Sequence, residues 1–142
     1  MATSTQNGID SVMLASQQIT DGATATANLD TRGSDAATIR VNLGTEETTH
    51  ATAIVCSLLS SDDTVVTNFA TVVADQSPDL TTGREVRYAI DMRGQKRYLR
   101  LDITAGTQTG SNLDLGAIAT LTRNTEDPAS TTAMGDDTVV II

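Results

Sequence analysis

The sequence predicts an all-β fold: an antiparallel two-sheet β-sandwich, jelly-roll-like, of about eight strands with extended terminal arms. Three observations carry this expectation. Apolar and polar residues alternate in short segments that recur about every 8–12 residues, the spacing of a sandwich or barrel. Threonine accounts for 25 of the 142 residues, beside 10 valines and 9 isoleucines, and β-branched side chains pack well on a pleated surface. No long helical periodicity is visible anywhere in the chain.

The elements follow in order. Residues 1–10 are small and polar and read as a flexible N-terminal arm. Strands are expected near 11–19, 23–30, 36–43, 50–60, 65–74, 84–92, 97–105 and 112–123, with residues 11–18 reading as either an edge strand or one helical turn. In the third, Ile39, Val41 and Leu43 share one face while Arg40 and Asn42 share the other. The fourth is apolar on both faces through residues 51–59, which predicts a central strand covered on both sides. Val86, Tyr88 and Ile90 alternate with polar or small residues, as do Leu99, Leu101 and Ile103, and then Leu113, Leu115, Ala117, Ala119 and Leu121. The expected core holds Ile39, Val41, Ile54, Leu58, Val86, Ile90, Leu99, Leu101 and Leu115. The sandwich domain spans 11–123, and residues 124–142 form an extended C-terminal arm.

That arm closes on Thr138-Val139-Val140-Ile141-Ile142. Such an apolar β-branched run is an aggregation hazard if left in water. It predicts either a last strand returning to its own sheet or a strand given to another subunit, so Val139, Val140, Ile141 and Ile142 are candidate partner contacts.

One internal echo stands out. Leu29-Asp30-Thr31-Arg32-Gly33 resembles Ile90-Asp91-Met92-Arg93-Gly94, and each is followed by a similar strand. A duplicated strand–turn–strand element accounts for it. The Asp is expected to accept from turn amides or pair with Arg, and Gly33 and Gly94 are both expected at positive φ.

Composition excludes several classes. With 18 acidic and 9 basic residues the net charge is −9, which opposes a general nucleic-acid or anionic-membrane role. No run of 18 apolar residues exists, and the polar N-terminus does not read as a secretory signal. The single Cys56 forms no intramolecular disulfide and no four-cysteine metal site. It lies in the most apolar segment, where a thiol behaves as a small buried hydrophobe.

The catalytic inventory is equally thin. His50 is the lone histidine, so neither a two-histidine metal site nor an H-E-x-x-H motif exists, and it reads as a solvated strand-end residue. No G-x-S-x-G elbow and no Gly-rich phosphate loop occurs. Ser61-Asp62-Asp63 suits a hairpin tip, with a calcium site as the less favoured reading. No catalytic residue, cofactor, metal or small-molecule substrate is expected, and the chain is not expected to be an enzyme. Six of the nine basic residues fall between Arg84 and Arg100. This zone either pairs internally with Glu85, Asp91 and Asp102 or meets an acidic partner, and Arg93 and Arg97 are the candidate contacts.

The pieces Ala27-Asn28-Leu29-Asp30-Thr31-Arg32-Gly33, Ser60-Ser61-Asp62-Asp63 and Arg93-Gly94-Gln95-Lys96-Arg97-Tyr98-Leu99-Arg100 carry a resemblance. Over residues 11–123 the sequence resembles small β-sandwich virion proteins of tailed bacteriophages. That resemblance implies capsid decoration (cement): a homo-oligomer, usually a trimer, that binds and stabilises the major capsid protein lattice. It implies a place on the capsid exterior, with synthesis in the host bacterial cytoplasm. Val, Ile, Leu and Phe total only 31 residues and aromatics three, so the isolated monomer is marginal and gains from burial between subunits. Two other roles are carried: a head–tail connector or tail component, and a carbohydrate-binding sandwich. The second ranks low, because sugar sites need aromatic platforms and the chain has no Trp.

Overall fold

The structure, a computed structural model, describes residues 9–20, 22–44, 54–77, 85–106, 113–122 and 138–141. Within them the chain forms nine strands: β1 (Ile9–Ile19), β2 (Thr24–Asp30), β3 (Ala36–Leu43), β4 (Val55–Ser61), β5 (Ala70–Gln76), β6 (Glu85–Asp91), β7 (Tyr98–Thr104), β8 (Leu113–Thr122) and β9 (Thr138–Ile141). They build two sheets, ordered β1-β8-β3-β6-β9 and β2-β7-β4-β5. Strands β1 to β8 pair antiparallel throughout, and their order is that of a jelly roll, two interleaved Greek keys. The protein is therefore an all-β, two-sheet sandwich, as its alternation predicts.

Alternation sets the inner face of each strand. In β2 the burial pattern is strict: Ala25, Ala27 and Leu29 point inward, and Thr24, Thr26 and Asn28 face water. Large and small residues are matched across neighbours. Ala25 pairs with Ile103 and Ala27 with Leu101, while Ile39 pairs with Ala119 and Val41 with Ala117. This complementarity of large and small side chains across neighbouring strands suits a core with one buried aromatic ring. All nine expected core residues are buried. The outer faces carry polar ladders, among them Thr24–Thr104 at 2.8 Å and Thr26 donating to Asp102 at 2.8 Å.

Several elements depart from expectation. β4 is internal to its sheet, flanked by β7 and β5, but only one of its faces is covered. Cys56, Leu58 and Ser60 are buried whereas Val55, Ser57 and Leu59 are half-buried, because a two-layer sandwich places nothing over its outer side. The strand expected from residue 65 begins at Ala70, and Val66–Asn68 form a 3-10 turn. The carboxylate of Asp63 accepts from the Val65 amide at 2.9 Å and from Asn68 Nδ2 at 2.8 Å, and these local bonds bend the chain despite its β-branched residues. Residues 11–18 are an edge strand, with bulges between Val12 and Gln17. The terminal residues 138–141 lie parallel to β6 of the same chain, Val140 opposite Tyr88, and so form the outer edge of the five-stranded sheet. Residues 1–8, His50, Ile142 and residues 123–137 lie outside the described residues.

Tyr88 is fully buried, and among the described residues its hydroxyl has no hydrogen-bond partner. Burial pushes its pKa well above the ordinary tyrosine value, with Cys56 adding to the shift. An unsatisfied buried hydroxyl costs about 1–3 kcal/mol. Tyr88→Phe is therefore expected to raise the denaturation midpoint; a clear fall in urea titration would mean that the hydroxyl has a partner.

Candidate functional site: the paired-turn end

The two Asp-x-Arg-Gly turns share one hydrogen-bond plan. Asp30 Oδ1 accepts from the Arg32 amide at 3.1 Å, and Asp91 Oδ1 accepts from the Arg93 amide at 3.0 Å. Each turn then closes one residue later, Ser34 N to Thr31 O at 3.0 Å and Gln95 N to Met92 O at 3.2 Å. The sequence echo is thus a structural echo. The first turn carries the chain from the four-stranded to the five-stranded sheet, and the second carries it back.

The two copies part at their glycines. Gly33 has φ of 79°, the value a type II turn requires at its third position. Gly94 was expected at positive φ and is not: it ends the 3-10 turn Met92–Gly94, whose N-cap Asp91 is held by its own side chain. Aspartate capping with an all-negative-φ turn replaces the glycine requirement there.

The turns lie side by side and are joined. Thr31 donates from its backbone to Arg97 O at 3.0 Å and from its hydroxyl to the same oxygen at 2.5 Å. Arg97 returns a bidentate pair to Asp30, Nε to Oδ1 at 2.9 Å and Nη2 to Oδ2 at 2.6 Å, while its guanidinium lies 4.7 Å over the Tyr98 ring. Met92 N donates to Asp35 O at 2.8 Å. The Ser61-Asp62-Asp63 tip joins the same end: Ser61 pairs with Tyr98 in register, and Lys96 Nζ is 3.4 Å from Asp62 Oδ2. All three segments behind the family resemblance therefore converge on one end of the sandwich.

Much of the basic zone is internally paired. Arg93 binds both oxygens of Asp91, Arg100 binds Asp102 at 2.8 Å, and Arg40 and Arg87 both approach Glu85. Of the expected contact residues, Arg93 and Arg97 stand exposed at this end. Val139, Val140 and Ile141 occupy the β9 edge, which runs beside β6 toward the second turn. A cleft of about 330 Å³ lies between the turns, lined by Thr31, Arg32, Gly33, Ser34, Met92, Gln95, Lys96 and Arg97. Arg32 and Lys96 were not singled out from the sequence. The duplication marks the two turns as equivalent, but only the pairing of β2 with β7 and of β3 with β6 brings them together.

A second concavity, about 430 Å³, lies on the outer face of the five-stranded sheet around Val12, Gly116 and Ile118. Val12 and Ile118 face each other across β1 and β8 and are 69% and 45% exposed. Cys56 is buried, and its thiol is pushed up to about 12 by burial, which keeps it protonated at neutral pH.

The Arg97 hydrogen bonds hold the Asp30 carboxyl at about 2, below the ordinary 3.8, with the Arg32 amide assisting against partial desolvation. The unfolded chain therefore binds the proton first as pH falls. The pair's contribution is complete above about pH 4 and is lost as pH falls through about 2. Asp30→Asn should flatten acid unfolding in that window, the more so at low salt because the pair is exposed. An unchanged acid profile would contradict this linkage.

The fold class here is the two-sheet jelly roll, and comparison with known proteins adds three likenesses to it. No family model and no curated protein matches the chain. Among solved structures, it is similar to the infectious bursal disease virus VP2 subviral particle at 15% identity, covering 85% of this chain and 33% of that one, with a TM-score of 0.48. It is also similar to structures of the Gx and Gt strains of that virus, at 14% and 15% identity and TM-scores of 0.41 and 0.39. Those matches cover 86% and 85% of this chain and 34% of each of the others. The chain spans about a third of the length of the solved chains it matches.

Proposed function

We propose that this chain is a structural virion protein, a capsid decoration (cement) protein that binds and stabilises the major capsid lattice of a tailed bacteriophage. The observation that carries this reading is the convergence of the three resemblance segments into one ion-paired end of a jelly roll. Turns scattered over 70 residues serve as one surface only if the fold gathers them, and here it does. Jelly rolls serve viral capsids and lectins alike, so the site must decide. Against the sugar-binding alternative, none of the three aromatic rings stands exposed: Tyr88 is buried, and Phe69 and Tyr98 are half-buried beneath Arg100 and Arg97.

In this reading the protein is not an enzyme and takes no cofactor, nucleic acid, membrane or small-molecule substrate. It is made in the host bacterial cytoplasm and sits on the capsid exterior as a homo-oligomer, a trimer. Arg93 and Arg97 at the paired-turn end, with Val139, Val140, Ile141 and Ile142 at the C-terminus, contact neighbouring subunits or capsid.

The test is cosedimentation with undecorated capsids. Binding should saturate at a fixed ratio and raise the capsid melting temperature, as any ligand selective for the native assembly must. Absence of saturable binding would overturn the reading.

A further inference from the structure

We propose that the cleft between the two turns is an anion-recognition site whose occupant is a carboxylate side chain on an acidic protein surface. The inference deepens the decoration reading and rests on it for the identity of the partner. The cleft is lined by Arg32, Lys96 and Arg97 together with the Gly33, Ser34 and Gln95 segment, and no carboxylate lines it. On a chain of net charge −9 that is a local inversion of sign.

The three cations are differently disposed. Arg97 is positioned rather than consumed, since Asp30 takes one Nε and one Nη2 bond and the remaining guanidinium donors stay available. Arg32 makes no side-chain hydrogen bond among the described residues; only its amide is held, by Asp30. Lys96 is only loosely paired, 3.4 Å from an Asp62 carboxylate that is 78% exposed. The acids around this end are Asp30, Asp35, Asp62, Asp63 and Asp91. Asp30 and Asp91 are each bound on both oxygens by arginine, and Asp63 by local turn donors. Against these five acids the end carries four cations, Arg32, Arg93, Lys96 and Arg97, of which three line the cleft while none of the acids does.

That placement chooses the ligand. A polyphosphate needs an extended positive field and meets repulsion from the acidic remainder of the chain. A single carboxylate needs only short-range, charge-assisted donors, and these are what two adjoining turns supply. The cross-linking of the turns by Thr31 and Asp30 holds the donors in place before a partner arrives, which lowers the ordering cost of binding.

The experiment uses the full-length isotope-labelled protein titrated with a glutamate-rich hexapeptide and followed by amide chemical shifts. Saturable shifts are expected at Gly33, Ser34 and Gln95. Arg32→Gln and Lys96→Gln should each weaken binding about fivefold or more, against less than about twofold for Arg40→Gln, which removes the same charge elsewhere. No saturable shift at the turns, or equal losses in Arg32→Gln and Arg40→Gln, overturns the site. Tighter binding of a single-stranded DNA oligonucleotide at the same residues overturns the choice of a protein partner. Capsid binding separates the two readings. If wild type binds capsids and the Arg32→Gln/Lys96→Gln double variant binds equally, the cleft proposal fails and decoration stands. If the peptide binds but wild type ignores capsids, decoration fails and the site stands.

Discussion

Leu101→Ala is expected to lower the unfolding free energy by about 2–5 kcal/mol, the range for removing a buried leucine from a close-packed core. Leu101 is 0% exposed and sits at the centre of β7, the strand paired on both sides by β2 and β4. Its cross-strand neighbours are Ala27 and Leu58. Ala27 is too short to reach into the vacated space, and Leu58 is held in its own strand register, so relaxation is limited and the cavity term stays large. Urea denaturation measures the loss. A change under about 1 kcal/mol would place Leu101 outside the core and contradict the strand register.

Gly33→Val carries the second large effect, a loss of about 1–3 kcal/mol from forcing a β-branched residue into the left-handed region at φ of 79°. Gly94→Ala is the control. Gly94 does not have positive φ, and an added Cβ there meets nothing within 4 Å. The second substitution should be neutral, or stabilising by about 0.4–1 kcal/mol through the unfolded chain. Equal destabilisation at the two sites would mean that the turns are conformational copies after all.

This asymmetry shows how far the sequence could be read. Alternation at Ile39, Val41 and Leu43, or at Leu99, Leu101 and Ile103, reports a buried face directly, because period-two burial is what a half-covered strand is. The Asp-x-Arg-Gly repeat likewise reported the Asx bonds, which depend only on residues two apart. What composition could not report was the choice between turn types, since a glycine tolerates both. The run Val65-Val66 favours strand by propensity, and the Asp63 carboxylate overrides that preference from two residues away.

Long-range placement was less legible. Nothing local to Asp30 indicates Arg97, 67 residues on; only the jelly-roll topology, which sets β2 beside β7, makes that bidentate pair. For the same reason the cleft residues Arg32 and Lys96 were invisible until the turns were brought together. The C-terminal run left two outcomes open, and in the structure its strand lies along β6 of its own chain, leaving one side of β9 as a sheet edge. An edge strand keeps backbone donors and acceptors for a neighbour, so residence in its own sheet and contact with another subunit are compatible.

The most direct test of the central claim is electron cryomicroscopy of capsids assembled without this chain and then mixed with it. Decoration predicts new density of one sandwich per chain, on the capsid exterior, between major capsid subunits and grouped in threes. New density confined to the portal vertex, or no new density at saturating protein, would contradict it.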